Sequence, residues 1–178
     1  MKRDQPTAFT IWFTGLSGAG KTTLSKAVLQ DLETKGLRVC LLNAGDLRRK
    51  LFPDLRFSRS DREENVRRIG YLAGLLTANG VNTLVASMSP ERAARDTVRQ
   101  KLTHFLEVFV DSPIEICQQR DPVGLYRRFR QGEVSHISGL DDPYEAPLNP
   151  DVHCRTDLLS VEACTAQIVA AIMERLGP

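Results

Sequence analysis

The segment Gly15-Leu16-Ser17-Gly18-Ala19-Gly20-Lys21-Thr22 constrains the fold more than any other part of the chain. It matches G-x-x-x-x-G-K-T, a glycine-rich loop that cradles phosphate groups, and its flanks are those such a loop needs. Residues 9–14, FTIWFT, are β-branched and aromatic, which predicts a buried strand. Residues 23–35 carry Leu24, Ala27, Val28, Leu29 and Leu32 at helical spacing. Glycines let the backbone bend so that several N–H groups face inward, and the start of the helix adds a favourable dipole for an anion. Lys21 supplies a point charge for β- and γ-phosphates, and the Thr22 hydroxyl suits Mg²⁺. Thr23, the first residue beyond the motif, is grouped with the loop as a nucleotide contact. The sequence therefore predicts nucleoside triphosphate binding.

The 178 residues, 42% hydrophobic and 26% charged, are enough for one core, and with no linker, repeat or low-complexity tract the reading is a single domain over residues 1–178. No run reaches the apolar length of a membrane span, and the opening MKRDQPTAF has no apolar secretory region. A net charge of +2 does not argue for nucleic acid. Cys40, Cys117, Cys154 and Cys164 are scattered without a C-x-x-C pair, so a reducing cytoplasm is expected, with neither zinc nor a disulfide.

Strand-like and helix-like segments alternate. Strands are expected at residues 37–42, 81–86 and 105–110, and helices at 61–79, 91–102, 113–120 and 158–176. This order predicts an α/β fold of the P-loop NTPase type: a parallel sheet with helices on both faces, and ligands gathered at the carboxyl ends of the strands. Residues 131–154, rich in Gly, Pro and Asp, are expected to form a lid over the bound nucleotide.

Several stretches resemble the adenylylsulfate kinase (APS kinase) family: GLSGAGKTTL at 15–24, RFSRSDREENVRRIG at 56–70, SPERAARD at 89–96, FLEVFVDSP at 105–113, RDPVGLYRR at 120–128 and GLDDPYEAPLNPD at 139–151. The loop is shared by many NTPases, whereas DREENVRRIG and DDPYEAP-x-NPD are more particular to this family. The resemblance implies transfer of the ATP γ-phosphate to the 3′-hydroxyl of adenosine 5′-phosphosulfate (APS), with ATP and Mg²⁺ as cofactors. It implies that Arg62 and Asn65, three apart on one helix face, hold the acceptor. Phe57 would stack on the acceptor adenine and Arg120 on the ATP adenine. Ser89 is a family candidate for a phosphoserine intermediate. A hydroxyl nucleophile needs an adjacent base, however, and none is evident, so direct in-line transfer with Ser89 positioning substrate is the simpler scheme. The family also implies a homodimer and a functional link to ATP sulfurylase.

Two regions depart from the family pattern. Where it has Asp-Gly-Asp-x-x-Arg, this chain reads Asn43-Ala44-Gly45-Asp46-Leu47-Arg48-Arg49. Aligned without gaps, Asn43 and Gly45 replace both aspartates and Arg48 keeps the substrate-arginine place. With one deletion, Asp46 becomes the catalytic, metal-organising carboxylate and Arg49 the arginine. The need of Mg²⁺-dependent transfer for a carboxylate favours Asp46. In the lid, Lys-Gly-Phe-Thr-Gly becomes Ser135-His136-Ile137-Ser138-Gly139, so Ile137 would offer an aliphatic contact to the acceptor in place of an aromatic one. Two further readings follow from these departures: a P-loop kinase for another small hydroxylated acceptor, or a catalytically weak nucleotide-binding regulator of a sulfate-activating partner.

Overall fold

Alternation along the first strand sets the two layers of the core. In the computed structural model, which describes residues 8–176, β1 (Thr10–Thr14) is buried throughout. Ile11 and Phe13 enter one apolar cluster and Trp12 enters another, as the two-residue period of a strand requires. Five strands form one sheet in the order β2-β3-β1-β4-β5, where β2 is Val39–Asn43, β3 Asn82–Ala86, β4 Phe105–Asp111 and β5 Val152–Arg155. Every pairing is parallel, with Trp12 opposite Val85 on one side and Glu107 on the other.

Helices cover both faces, as expected of a parallel sheet. On the Ile11 face, α1 (Lys21–Thr34) contributes Leu24, Val28 and Leu32, and α7 (Val161–Leu176) contributes Cys164, Ile168 and Ile172. On the Trp12 face, α3 (Arg59–Ala78) contributes Val66, Ile69 and Ala73, and α4 (Arg92–Lys101) contributes Val98. Full burial of each such leucine, isoleucine or valine stabilises the fold by about 1.5–3 kcal/mol. The expected strands and long helices are present with ends shifted by a few residues.

Three elements were not foreseen: α2 (Ala44–Lys50), α6 (Leu125–Arg130) and β5. The first starts because Asn43 caps it, its side chain accepting from the N–H groups of Gly45 and Asp46. The last falls within the stretch expected to be lid, and its pairing with β4 makes residues 152–155 part of the sheet. A short α5 (Ile114–Arg120) lies between β4 and α6. Among the described residues no helix is long and apolar enough to cross a membrane, and all four cysteines are free.

Candidate active site: a phosphate cradle and a facing pocket

The loop after β1 works by backbone geometry. Gly15 stands so close to β4 that a side-chain Cβ would lie 2.1 Å from the Val110 carbonyl oxygen. Gly20, at φ 105°, turns into α1 in the left-handed region that favours glycine and provides no side-chain cap. The N–H groups that open α1 are thereby left for an anion, in line with the helix dipole. Lys21 Nζ donates to the carbonyls of Gly15 at 2.8 Å and Leu16 at 2.6 Å, so the cradle is braced from within. Burial lowers the Lys21 pKa to about 8, opposed by the nearby Cys117. Leu16 packs against the core and Ala19 is buried in it, which fixes the loop on its inner side. Thr22 and Thr23 face solvent at the mouth.

A cavity of about 620 Å³ opens beside the cradle, lined in part by Ser17, Gly18, Lys21, Thr23, Arg120 and Thr156. Arg120 is placed there by donation to the Thr156 carbonyl at 2.7 Å and to the Thr156 hydroxyl at 3.1 Å. Thr156 also donates to the Ala19 carbonyl at 2.7 Å, and Tyr126 Oη donates to the Ser17 carbonyl at 2.8 Å. These two braces carried no signal in the sequence, because each lies more than 100 positions from the loop it holds.

At the end of β2, Asn43 and not Asp46 comes within reach of Thr22. Asn43 commits its amide oxygen to capping α2, which turns its Nδ2 toward Thr22 Oγ1 at 3.4 Å. Asp46, expected at the metal, lies one turn into α2 and pairs with Arg49 in an exposed ion pair. The physical reason is helical: the segment coils directly after Asn43, so Asp46 follows α2 outward. Arg49 is occupied by that pair, while Arg48 lies with its Cζ 4.8 Å from the centre of the Phe57 ring. Burial, the largest influence, and the neighbouring Arg62 lower the Arg48 pKa; Asp61 opposes them.

A second cavity, of about 510 Å³, is lined in part by Phe57, Arg62, Glu91, His136, Asp142 and Glu145. Phe57 is 65% exposed, with the Arg48 guanidinium over its ring. Arg62 pairs through Nη2 with Asp142 and donates through Nη1 to the His136 carbonyl at 3.2 Å. Its Nε faces Glu91 Oε1 at 3.4 Å. Asn65 is buried one turn later on α3. Two buried polar atoms of the lining lack a hydrogen-bond partner, Arg62 Nε and Glu91 Oε2, as does Asn65 Oδ1 further along α3. Buried polar atoms are normally paired, so this cluster marks a place built to meet something else. Ile137, expected against the acceptor, is buried in the core cluster of the Ile11 face and does not line this cavity. The Asp142 carboxyl is held below its usual range by the Arg62 guanidinium, whereas burial holds Glu91 above it.

Ser89 sits between these regions at φ 44° and is 2% exposed. Its hydroxyl accepts from Trp12 Nε1 at 2.8 Å, and its carbonyl accepts from Arg95. Among the described residues no base hydrogen-bonds to that hydroxyl. Arg95, 1% exposed, also donates to Glu107 Oε1 at 2.8 Å and to the Glu145 carbonyl at 2.7 Å. The Glu145 N–H donates to the Pro90 carbonyl at 3.0 Å and the Arg92 N–H to Glu145 Oε2 at 2.9 Å, so residues 144–146 are fastened to the turn after β3. Tyr144 stacks on Phe109 and shares a 2.9 Å hydrogen bond with Thr14, which ties this segment to the end of β1 just before the cradle. Sequence reasoning missed Glu91, Arg95 and Tyr144 as site residues; two of them lie within the quoted SPERAARD, but as part of a match, not as groups with roles.

Comparison with known proteins accords with this geometry. The family described as adenylylsulphate kinase matches residues 7–155. An adenylyl-sulfate kinase of Synechococcus sp. (strain JA-3-3Ab) is 52% identical over 163 residues, covering 92% of this chain and 93% of that protein. One from Picosynechococcus sp. (strain ATCC 27264 / PCC 7002 / PR-6) is 48% identical over 93% of each. The solved APS kinase of Mycobacterium tuberculosis, in complex with AMPPNP and APS, superposes with a TM-score of 0.90 at 38% identity, covering 94% of this chain and 98% of that one. With its phosphate cradle, its facing pocket and this breadth of likeness, the chain belongs to the adenylylsulphate kinase family.

Proposed function

We propose that the chain is an ATP-dependent adenylylsulfate kinase, transferring the γ-phosphate of ATP to the 3′-hydroxyl of APS and releasing ADP and 3′-phospho-APS. The observation that carries this reading is the pairing of two cavities at the carboxyl ends of the strands: the cradle around Lys21, and the pocket that gathers Phe57, Arg62 and Glu91. Catalysis of this kind rests on positioning and charge stabilisation. The N–H groups that open α1 hold the phosphate chain. Lys21 exchanges its two carbonyl partners for phosphate oxygens and steadies the charge of transfer. Arg120 faces the nucleoside end of the donor. Phe57 stacks on the acceptor base, Arg48 and Arg62 hold its anionic group, and Asn65 offers its free carbonyl to a donor on the acceptor. Ser89 positions the turn beneath the acceptor, its hydroxyl engaged by Trp12.

Among the described residues no cluster of His, Cys, Asp or Glu is arranged to hold a metal ion. The exposed Thr22 hydroxyl suits Mg²⁺ shared with the triphosphate, which would supply charge neutralisation when bound. Asn43 presents an N–H to Thr22 and is no ligand as it stands, while Asp46 is engaged by Arg49. We assign the moving part of the lid to residues 131–136, mostly exposed, and not to the fastened 144–146. Homodimerisation, in a cytoplasmic enzyme linked to ATP sulfurylase, accords with Tyr71 and Leu75, exposed at 66% and 47% on α3.

An ADP-release assay with APS tests the function. Turnover with APS sustains it; turnover only with a different hydroxylated acceptor favours the second reading, which the burial of Ile137 away from the pocket motivates. ATP binding without turnover would point to a regulator, as the neutral Asn43 beside Thr22 motivates.

A further inference from the structure

Of the three carboxylates that line the acceptor pocket, Glu91, Asp142 and Glu145, the first two face Arg62, and they differ in kind. Asp142 is well supplied, bonded to Arg62 and 3.4 Å from His136 Nδ1. Glu91 is not. It is 7% exposed, Arg62 is its only ion-pair partner among the described residues, and the pair is a loose one at 3.4 Å with no hydrogen bond made. Its second oxygen is buried without any partner. Nor does it cap α4, although it stands at the N-cap position. The main chain cannot carry it away, since the residues on both sides, Pro90 and Arg92, are each bonded to Glu145.

Resting on the APS kinase reading, we propose that Glu91 is a specificity-determining residue that opposes the acceptor's anionic group at Arg62, weakening the grip on charge so that the acceptor is selected through its base and sugar as well. An anion that docks on Arg62 enters the field of a fixed, buried carboxylate, and like charges at such range repel strongly in a poorly solvated site. Arg62 is thereby kept from acting as a general anion trap. Removing the Glu91 charge leaves Arg62 facing one carboxylate, Asp142, where it now faces two.

The test is Glu91→Gln, which keeps the shape and removes the charge. Steady-state kinetics with APS at saturating ATP, and competition by uncharged adenosine as a probe of base and sugar binding alone, read the effect. The KM for APS falls about tenfold, the size expected of one partly screened like-charge contact. The inhibition constant of adenosine and the KM for ATP stay within about twofold, because neither ligand places an anion on Arg62. A KM for APS that is unchanged or higher overturns the proposal, as does an equal change for APS and adenosine, which would make Glu91 a shape or hydrogen-bonding contact. If Glu91→Gln fails to fold, Glu91→Asp, which draws the charge back by one methylene, must show a smaller fall in the KM for APS, and no fall overturns the proposal equally. Absence of APS turnover by the unmodified protein would instead remove the kinase reading itself, so the two failures are distinct.

Discussion

The cradle that we assign to the donor and the pocket that we assign to the acceptor lie at the same end of one sheet but are made of different material. The cradle is mostly main chain: glycines at Gly15 and Gly20, the opening N–H groups of α1 and a single lysine folded back on two carbonyls. The pocket is mostly side chain, drawn from α2, α3, the turn before α4 and the loop before β5, and held by ion pairs that cross from one segment to another. A backbone site keeps its shape when surrounding residues change. A side-chain site changes its charge balance with each substitution. The departures from the family pattern lie outside the loop itself, at the end of β2 beside Thr22 and in residues 135–139.

The largest effect expected concerns what fastens the pocket. Arg95→Met should lower stability by about 3–5 kcal/mol, because it leaves Glu107 Oε1 and two carbonyls without their partner in the interior, with only Arg99 near the other Glu107 oxygen. Thermal melting measures it, and a loss below about 1 kcal/mol would show that the clamp on residues 144–146 is ornamental. For the cradle, Lys21→Ala should cut turnover by about 10²–10³-fold, the cost of losing one preorganised charge at a transferring group. Kinetics at saturating APS decide this. A much smaller loss would mean that main-chain amides alone carry the transfer.

A pair of substitutions then sharpens the boundary between the two regions. Asn43→Asp keeps a cap for α2 and turns a carboxylate oxygen toward Thr22, so Mg²⁺-dependent turnover should rise about tenfold. Asp46→Ala removes only an exposed pair with Arg49 and should change turnover by less than about twofold. The opposite ranking in a kinetic comparison would return the working carboxylate to Asp46. The smallest effect is one of pH. With the Lys21 pKa lowered to about 8, the ligand-free protein sheds this proton sooner than an exposed lysine does. Bound phosphate favours the charged form, so ATP binding takes up a proton, and ATP affinity should fall as pH rises above about 8. Titration calorimetry in buffers of different ionisation enthalpy checks both the slope and the proton uptake.

Legibility followed the same division. The cradle could be read directly, since eight consecutive residues with a strand before them and a helix after them specify it. The parallel sheet was legible from the order of segments. The pocket was not: Arg62, Asn65 and Phe57 were singled out by resemblance, while Glu91 and Arg95 act through partners 29 and 50 positions away, beyond the reach of any local pattern. Asp46 was placed by the chemical need for a carboxylate. Asn43 overrode that expectation, because a capping side chain at the strand end starts α2 at once and sends Asp46 outward. Ile137 was assigned from a family position, yet an aliphatic side chain beside the core packs into it.

The indole of Trp12 has one more consequence. It is the chain's only tryptophan, fully enclosed on the second cluster, and its N–H is tied to Ser89, next in the chain to the pocket-lining Pro90 and Glu91. Emission excited at the red edge of protein absorbance therefore comes from one spot, and any ligand that shifts that turn changes its colour or brightness. The molecule carries its own optical gauge of acceptor arrival, readable on a stopped-flow timescale without a label.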